Sequence, residues 1–135
     1  MRRLIVALTL VLACSPLAAD EKTDAAQKAA EGWLGLVDQG KYGESWEVAA
    51  VFFKDKVPKE QWEAAMNGSR KPLGALKTRA LIGSKYATKL PGAPDGEYVL
   101  IQYKTSFENK ESAVETITPA LQNDGKWRVS GYFIR

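Results

Sequence analysis

Glu115 is the residue in this sequence best placed to do chemistry. It lies in the run Ala113-Val114-Glu115-Thr116-Ile117-Thr118-Pro119-Ala120-Leu121, whose β-branched residues and two-residue period read as a strand. If Ile117 and Leu121 point inward, alternation puts Glu115 on the same apolar face. A carboxylate there is desolvated, and its pKa rises unless an arginine pairs with it. Arg70 and Arg79 are the candidate partners. A carboxylate raised in this way serves as a general base, and a nearby phenol such as Tyr103 would hold a developing oxyanion, the arrangement of an isomerase or lyase. The same segment supports the opposite placement. Pro119 cannot donate to a sheet ladder and marks a bulge, and a slip of one residue turns Glu115 to water among lysines.

Two other groups of residues invite a binding role. Trp33, Trp46, Trp62 and Trp127 suit a carbohydrate or an apolar ligand, with Trp33 and Trp46 joining Arg70 and Arg79 as candidate binding residues. Each tryptophan also sits at core spacing within its own element, where an aromatic side chain serves packing. Lys77, Arg79, Lys85 and Lys89 form a basic row on the outer side of a strand. Such a row protects a sheet edge against pairing or meets an anionic partner. Asn67-Gly68-Ser69 matches a glycosylation acceptor but reads more simply as a helix end.

Absences narrow the chemistry further. The chain has 135 residues, no histidine and one cysteine, Cys14. Imidazole-based triads and imidazole zinc sites are therefore excluded, and no glycine-rich phosphate loop or calcium-loop spacing occurs. No metal and no cofactor is expected.

The first nineteen residues read as an export signal. Arg2 and Arg3 precede an apolar run from Leu4 to Ala13, then Pro16 breaks the helix before the small residues Ala18 and Ala19. About ten apolar residues fall well short of the roughly twenty that span a bilayer, so no transmembrane segment is expected in the mature chain. A second reading competes: Val11-Leu12-Ala13-Cys14 resembles a lipobox, which would lipidate Cys14 and anchor the protein in the envelope. The expected organisation is a signal peptide over residues 1–19 and one domain over residues 20–135, periplasmic or secreted. Of 19 basic residues, Arg2 and Arg3 lie in the leader, which leaves 17 against 16 acidic ones. That near-neutral balance argues against nucleic acid as a partner. Residues 20–69 carry ten acids and six bases, whereas residues 70–135 carry six acids and eleven bases. The two halves would complement each other within one fold, or the basic half would meet an anionic partner.

The elements that must position these residues follow from periodicity. Ala26, Ala30, Trp33 and Val37 recur at helical spacing over residues 24–38, and Gly40 supplies the stop. A second helix is predicted from Tyr42 to Phe53, burying Trp46, Ala49, Ala50 and Phe53. A third starts at Pro58, buries Trp62, Ala65 and Met66, and ends near Asn67-Gly68. From Ala75 the period becomes two. The first strand turns Leu76, Ala80, Ile82, Tyr86 and Leu90 to one side, and the basic row to the other. After the turn-rich LPGAPDGE comes a strand from Glu97 to Phe107 with Val99, Ile101, Tyr103 and Phe107 inward. Asn109 to Ser112 turns the chain into the strand Ala113–Leu121. Gln122-Asn123-Asp124-Gly125 signals a hairpin into Trp127–Ile134, with Trp127, Val129 and Phe133 opposite Arg128, Ser130 and Tyr132. The expected fold class is α+β: three N-terminal helices laid on a curved four-stranded antiparallel sheet.

The strings GWLGLVDQGKYGESWEVAA, RKPLGAL, LPGAPDGEYV and DGKWRVSGYFIR together resemble the bacterial exported family called domain of unknown function 4019, from about Trp33 to Arg135. The order of helices and strands also resembles the cone-like nuclear-transport-factor-2-like and cystatin-like architectures, which host enzymes and binding modules alike. The resemblance supplies no catalytic residue. The leading expectation is an exported, non-enzymatic binding or interaction module, which would form a homodimer through the open sheet face. An isomerase- or lyase-type enzyme using Glu115 and Tyr103 is the second reading, and a lipid-anchored structural protein of the envelope the third.

Overall fold

Gly40 fixes where the first helix ends, and with it the placement of Asp38. In a computed structural model that describes residues 16–135, helix α1 spans Pro16–Asp38. Gly40 takes the left-handed conformation with φ 76°. The Lys41 amide reaches back to the Leu36 carbonyl at 2.9 Å and the Gly40 amide to Val37 at 3.0 Å, the paired bonds of a Schellman cap. The helix reaches further back than periodicity predicts, already covering Pro16. Residues 1–15, with Cys14 and most of the expected leader, lie outside the described residues.

The predicted second helix is two short ones, α2 (Tyr42–Glu47) and α3 (Val51–Lys56). Ala50 is extended at φ −62° and ψ 149°, and its amide donates to the Val129 carbonyl of the sheet at 2.8 Å. That tertiary bond pulls the amide out of the helical ladder, and the small buried Ala49 and Ala50 allow the close approach. Pro58 is the extended residue just before α4 (Lys59–Ser69) rather than part of its first turn, and Trp62 and Met66 are buried beneath that helix. Ala65, expected on the same buried face, is exposed.

Four antiparallel strands follow in the sheet order β1-β2-β3-β4, so the sheet is open with β1 and β4 at its edges. They are β1 (Leu76–Ala87), β2 (Tyr98–Phe107), β3 (Lys110–Leu121) and β4 (Trp127–Ile134). The class is α+β, with helices preceding strands as expected. Helix α1 crosses all four strands and buries Ala26, Ala30, Trp33, Leu34 and Val37 against Val99, Ile101, Ile117 and Val129.

Three departures from strict alternation decide the site. In β1, register shifts between Leu76 and Thr78 and between Leu81 and Gly83 disrupt the predicted phase. Ala80 and Ile82 are exposed, and Arg79 leaves the outer basic row to face Thr105. Lys77, Lys85 and Lys89 remain exposed. The chain turns at Glu108-Asn109, tighter than predicted, so β3 starts at Lys110. In β4, Thr118 pairs with Gly131 but Pro119 with Val129. Ser130 is thus the extra residue of a bulge opposite the proline, which has no N–H to offer. Its hydroxyl donates to the Thr118 carbonyl at 2.8 Å. Beyond Ser130 the predicted parity is reversed: Tyr132 packs against the core and Phe133 is 47% exposed.

Candidate functional site

Glu115 is fully buried at 0% exposure. The pairing of Ile101 with Ile117 runs without a break to Tyr103 with Glu115, and the Pro119 irregularity lies on the far side of Ile117. The inward placement therefore holds. The Arg79 Nε donates to Glu115 Oε1 at 2.7 Å and its Nη2 to Oε2 at 3.2 Å. Thr105 Oγ1 donates to Oε1 at 2.6 Å, and the Tyr132 hydroxyl donates to Oε2. Four donors thus occupy the two carboxylate oxygens.

The other edge of Arg79 grips a second acid. Its Nη1 and Nη2 donate to Asp38 Oδ2 and Oδ1 at 2.7 and 2.9 Å, a bidentate fork that suits arginine and not lysine. Asp38 Oδ1 also accepts from Arg70 Nη2 at 3.3 Å. Arg70 is placed by the turn that follows α4: Gly74, at φ 77°, directs its carbonyl to Arg70 Nη1 at 2.6 Å. The guanidinium lies 4.4 Å from the centre of the Phe107 ring. Two carboxylates and two guanidinium groups therefore balance within one buried network. It draws on the end of α1, the residue after α4 and all four strands. Burial works against the charge on Arg79, but the hydrogen bonds and charges of Asp38 and Glu115 outweigh it and hold the guanidinium above its ordinary value. Tyr132 is raised by burial first, then by the negative charge and hydrogen bond of Glu115.

The structure separates the other candidates from this network. Tyr103 is paired across the ladder with Glu115, yet its buried hydroxyl has no hydrogen-bond partner among the described residues; the phenol that bonds to Glu115 is that of Tyr132. Burial, and then the charge of Glu31, push the Tyr103 phenol up to about 12. The unfolded phenol ionises near pH 10, so the folded state binds the proton more tightly. The stability this provides is complete below about pH 10 and is lost as pH climbs towards about 12. Tyr103→Phe should leave neutral-pH stability unchanged or slightly raised, since a buried unpaired hydroxyl goes, and should flatten the alkaline loss. Thermal melts across that range check both.

The tryptophans pack in or against the core, and Trp62 also lines a recess. Trp33 Nε1 donates to the Ser45 carbonyl at 2.8 Å, Trp62 Nε1 to Ser45 Oγ at 3.0 Å and Trp46 Nε1 to the Val57 carbonyl at 2.7 Å. Trp127 is half-buried against the same cluster. One recess of about 310 Å³ adjoins the network, lined by Trp62, Ala65, Met66, Ser69, Tyr132, Phe133 and Ile134. Among the described residues, no group of three His, Cys, Asp or Glu side chains is arranged to hold a metal ion. No helix there is long and apolar enough to cross a membrane.

Asp38, Thr105 and Tyr132 were not singled out by sequence. Asp38 continues the buried stripe four residues after Leu34, and Thr105 shares the inward phase of Tyr103 and Phe107, so both carried a readable signal. Tyr132 carried none without the bulge.

The family model described as a protein of unknown function (DUF4019) matches residues 29–132. The chain belongs to the DUF4019 family. No curated protein matches it. The stretch matched to DUF4019 contains all six network residues, from Asp38 to Tyr132, together with the four strands up to that tyrosine.

Proposed function

We propose that this DUF4019 chain is an exported, non-enzymatic binding or interaction module whose ligand sits in the recess between α4 and the end of β4. The observation that carries this reading is the saturation of Glu115. A general base needs a free lone pair facing its substrate, and here both oxygens are occupied by Arg79, Thr105 and Tyr132. The network braces the floor of the recess through Tyr132. Trp62, Met66, Phe133 and Ile134 give the recess the mainly apolar lining with few polar groups that binding sites share. Export rests on the leader pattern of Arg2, Arg3 and the Leu4–Ala13 run.

An apolar dye, anilinonaphthalene sulfonate, should brighten on the purified chain. Ala65→Arg, which fills the recess from an exposed position, should abolish the response while leaving the circular dichroism spectrum unchanged. Equal brightening of both proteins would sink the recess as the binding site. Native mass spectrometry after expression in a bacterial host reports the starting residue. A chain beginning near Asp20 supports soluble export, whereas an acyl group on Cys14 assigns the envelope-anchored form. The same spectrum tests self-association through the outer sheet face, where Gly83, Lys85, Leu100, Gln102 and Thr116 border a second recess.

A further inference from the structure

The two edges of the sheet are built differently. Edge strand β1 carries two register shifts and the exposed Lys77 and Lys85, features that blunt an edge against further pairing. Edge strand β4 is closed only in its first half, where the Val129 carbonyl accepts the Ala50 amide at 2.8 Å. Its second half is open. Arg135 and Val114 exchange both backbone bonds, at 2.9 and 3.1 Å, so by alternation Phe133 also turns its N–H and C=O towards β3. The N–H and C=O groups of Tyr132 and Ile134 then point away from the sheet, and no other backbone among the described residues takes them up. Both residues line the recess, facing Trp62, Met66 and Ser69 of α4.

We propose that the open half of β4 binds an extended peptide of a partner protein, which adds to the sheet as a fifth strand beside Tyr132 and Ile134. The inference rests on the binding reading above and specifies its ligand class. Paired main-chain donors and acceptors at strand spacing are met by another extended backbone, and alternate side chains then supply selectivity. Alternate residues of the peptide would enter the apolar recess, so apolar side chains fit there. Next to the open edge, the Arg135 guanidinium lies 5.3 Å from the centre of the Phe133 ring. It forms no salt bridge with a carboxylate among the described residues. An acidic residue on the outward phase of the peptide complements it.

The test selects binders from a displayed random-peptide library against the purified chain, then measures amide hydrogen exchange with and without the selected peptide. Selected sequences should alternate apolar with polar residues, include an acid, and slow exchange at Tyr132 and Ile134 but not at Lys77 or Lys85. N-methylation of the peptide residues facing β4 should weaken binding about tenfold or more, the loss of a main-chain hydrogen bond, while methylation at intervening residues should not. Arg135→Glu should weaken acidic peptides selectively. Peptides that bind without protecting Tyr132 and Ile134 overturn strand addition while leaving the recess intact. A chain that brightens the dye but selects no peptide overturns the ligand class. A sedimentation mass showing two copies joined through β4, with those amides already protected, would assign the edge to a second copy and also overturn the proposal.

Discussion

Glu115→Ala should destabilise the fold by about 3–5 kcal/mol, because it strands the buried guanidinium of Arg79 without one of its two carboxylates. Glu115 is completely buried, and Arg79, Thr105 and Tyr132 all donate to it, so three partners lose an acceptor together. Glu115→Leu alone should be nearly as damaging, since it fills the space but leaves the same donors unmet. Adding Arg79→Met to Glu115→Leu should recover only part of the loss: it removes the stranded guanidinium but takes the bidentate fork from Asp38 and leaves the Thr105 and Tyr132 hydroxyls unmet. Urea unfolding gives both numbers from the midpoint, provided the slope is unchanged. A loss below about 1 kcal/mol for Glu115→Ala, the range of exposed pairs, would show that water replaces the carboxylate and that the network does not brace the fold.

Trp62→Ala should cost a comparable amount, about 3–5 kcal/mol, by opening a cavity where three aromatic rings meet. Trp62 stands edge-on to Phe53 with ring centres 4.9 Å apart and tilted against Trp33 at 5.9 Å. Its N–H is met by Ser45 Oγ, whose own hydroxyl donates to the Tyr42 carbonyl at 2.6 Å. Trp62→Phe keeps the ring contact and gives up the hydrogen bond, so it should cost distinctly less. Ser45→Ala removes the same hydrogen bond from the other side together with the bond to Tyr42: it leaves the buried Trp62 N–H unpaired, for a loss of about 1–3 kcal/mol. Denaturant midpoints of the three variants, with intact far-ultraviolet dichroism, provide the comparison. If Trp62→Ala and Trp62→Phe cost the same, the ring packing contributes little and the hydrogen bond dominates.

These two results bear on different parts of the recess. Glu115 holds its floor through Tyr132, and Trp62 forms its wall on α4. A variant that lowers stability without altering dye or peptide binding at a temperature well below unfolding separates the brace from the contact surface. Phe133→Ala offers the converse. Phe133 is about half-exposed, at 47%, so its removal should cost only about 1 kcal/mol of stability while reducing binding at the β4 edge.

How much of this was readable in advance depends on how far each residue lies from an irregularity. The phase of β2 followed from alternation, whereas for Glu115 on β3 alternation and a slip at Pro119 gave opposite answers, and the structure decides for the inward one because no shift separates Ile117 from Glu115. Arg79 was read both as a partner of Glu115 and as part of an outer row. Two register shifts in β1 favoured the first, and periodicity has no means of locating such shifts. Tyr132 and Phe133 were exchanged for the same reason, with the signal for the bulge lying in Pro119 on the neighbouring strand. The break between α2 and α3 was invisible because the Ala50 amide is taken by a carbonyl 79 residues away in the chain, at Val129.

The sequence by itself determined the α+β order of helices then strands, the membership in DUF4019 and the stop at Gly40. All of these depend on contacts within a short window or on a pattern repeated along one element. Only the tertiary structure decided that Asp38, Arg70, Arg79, Thr105, Glu115 and Tyr132 form one charge-balanced network. The tertiary structure alone also left half of β4 open beside an apolar recess. Those outcomes rest on bonds between residues far apart in sequence, where one added residue in a strand reverses every side chain beyond it.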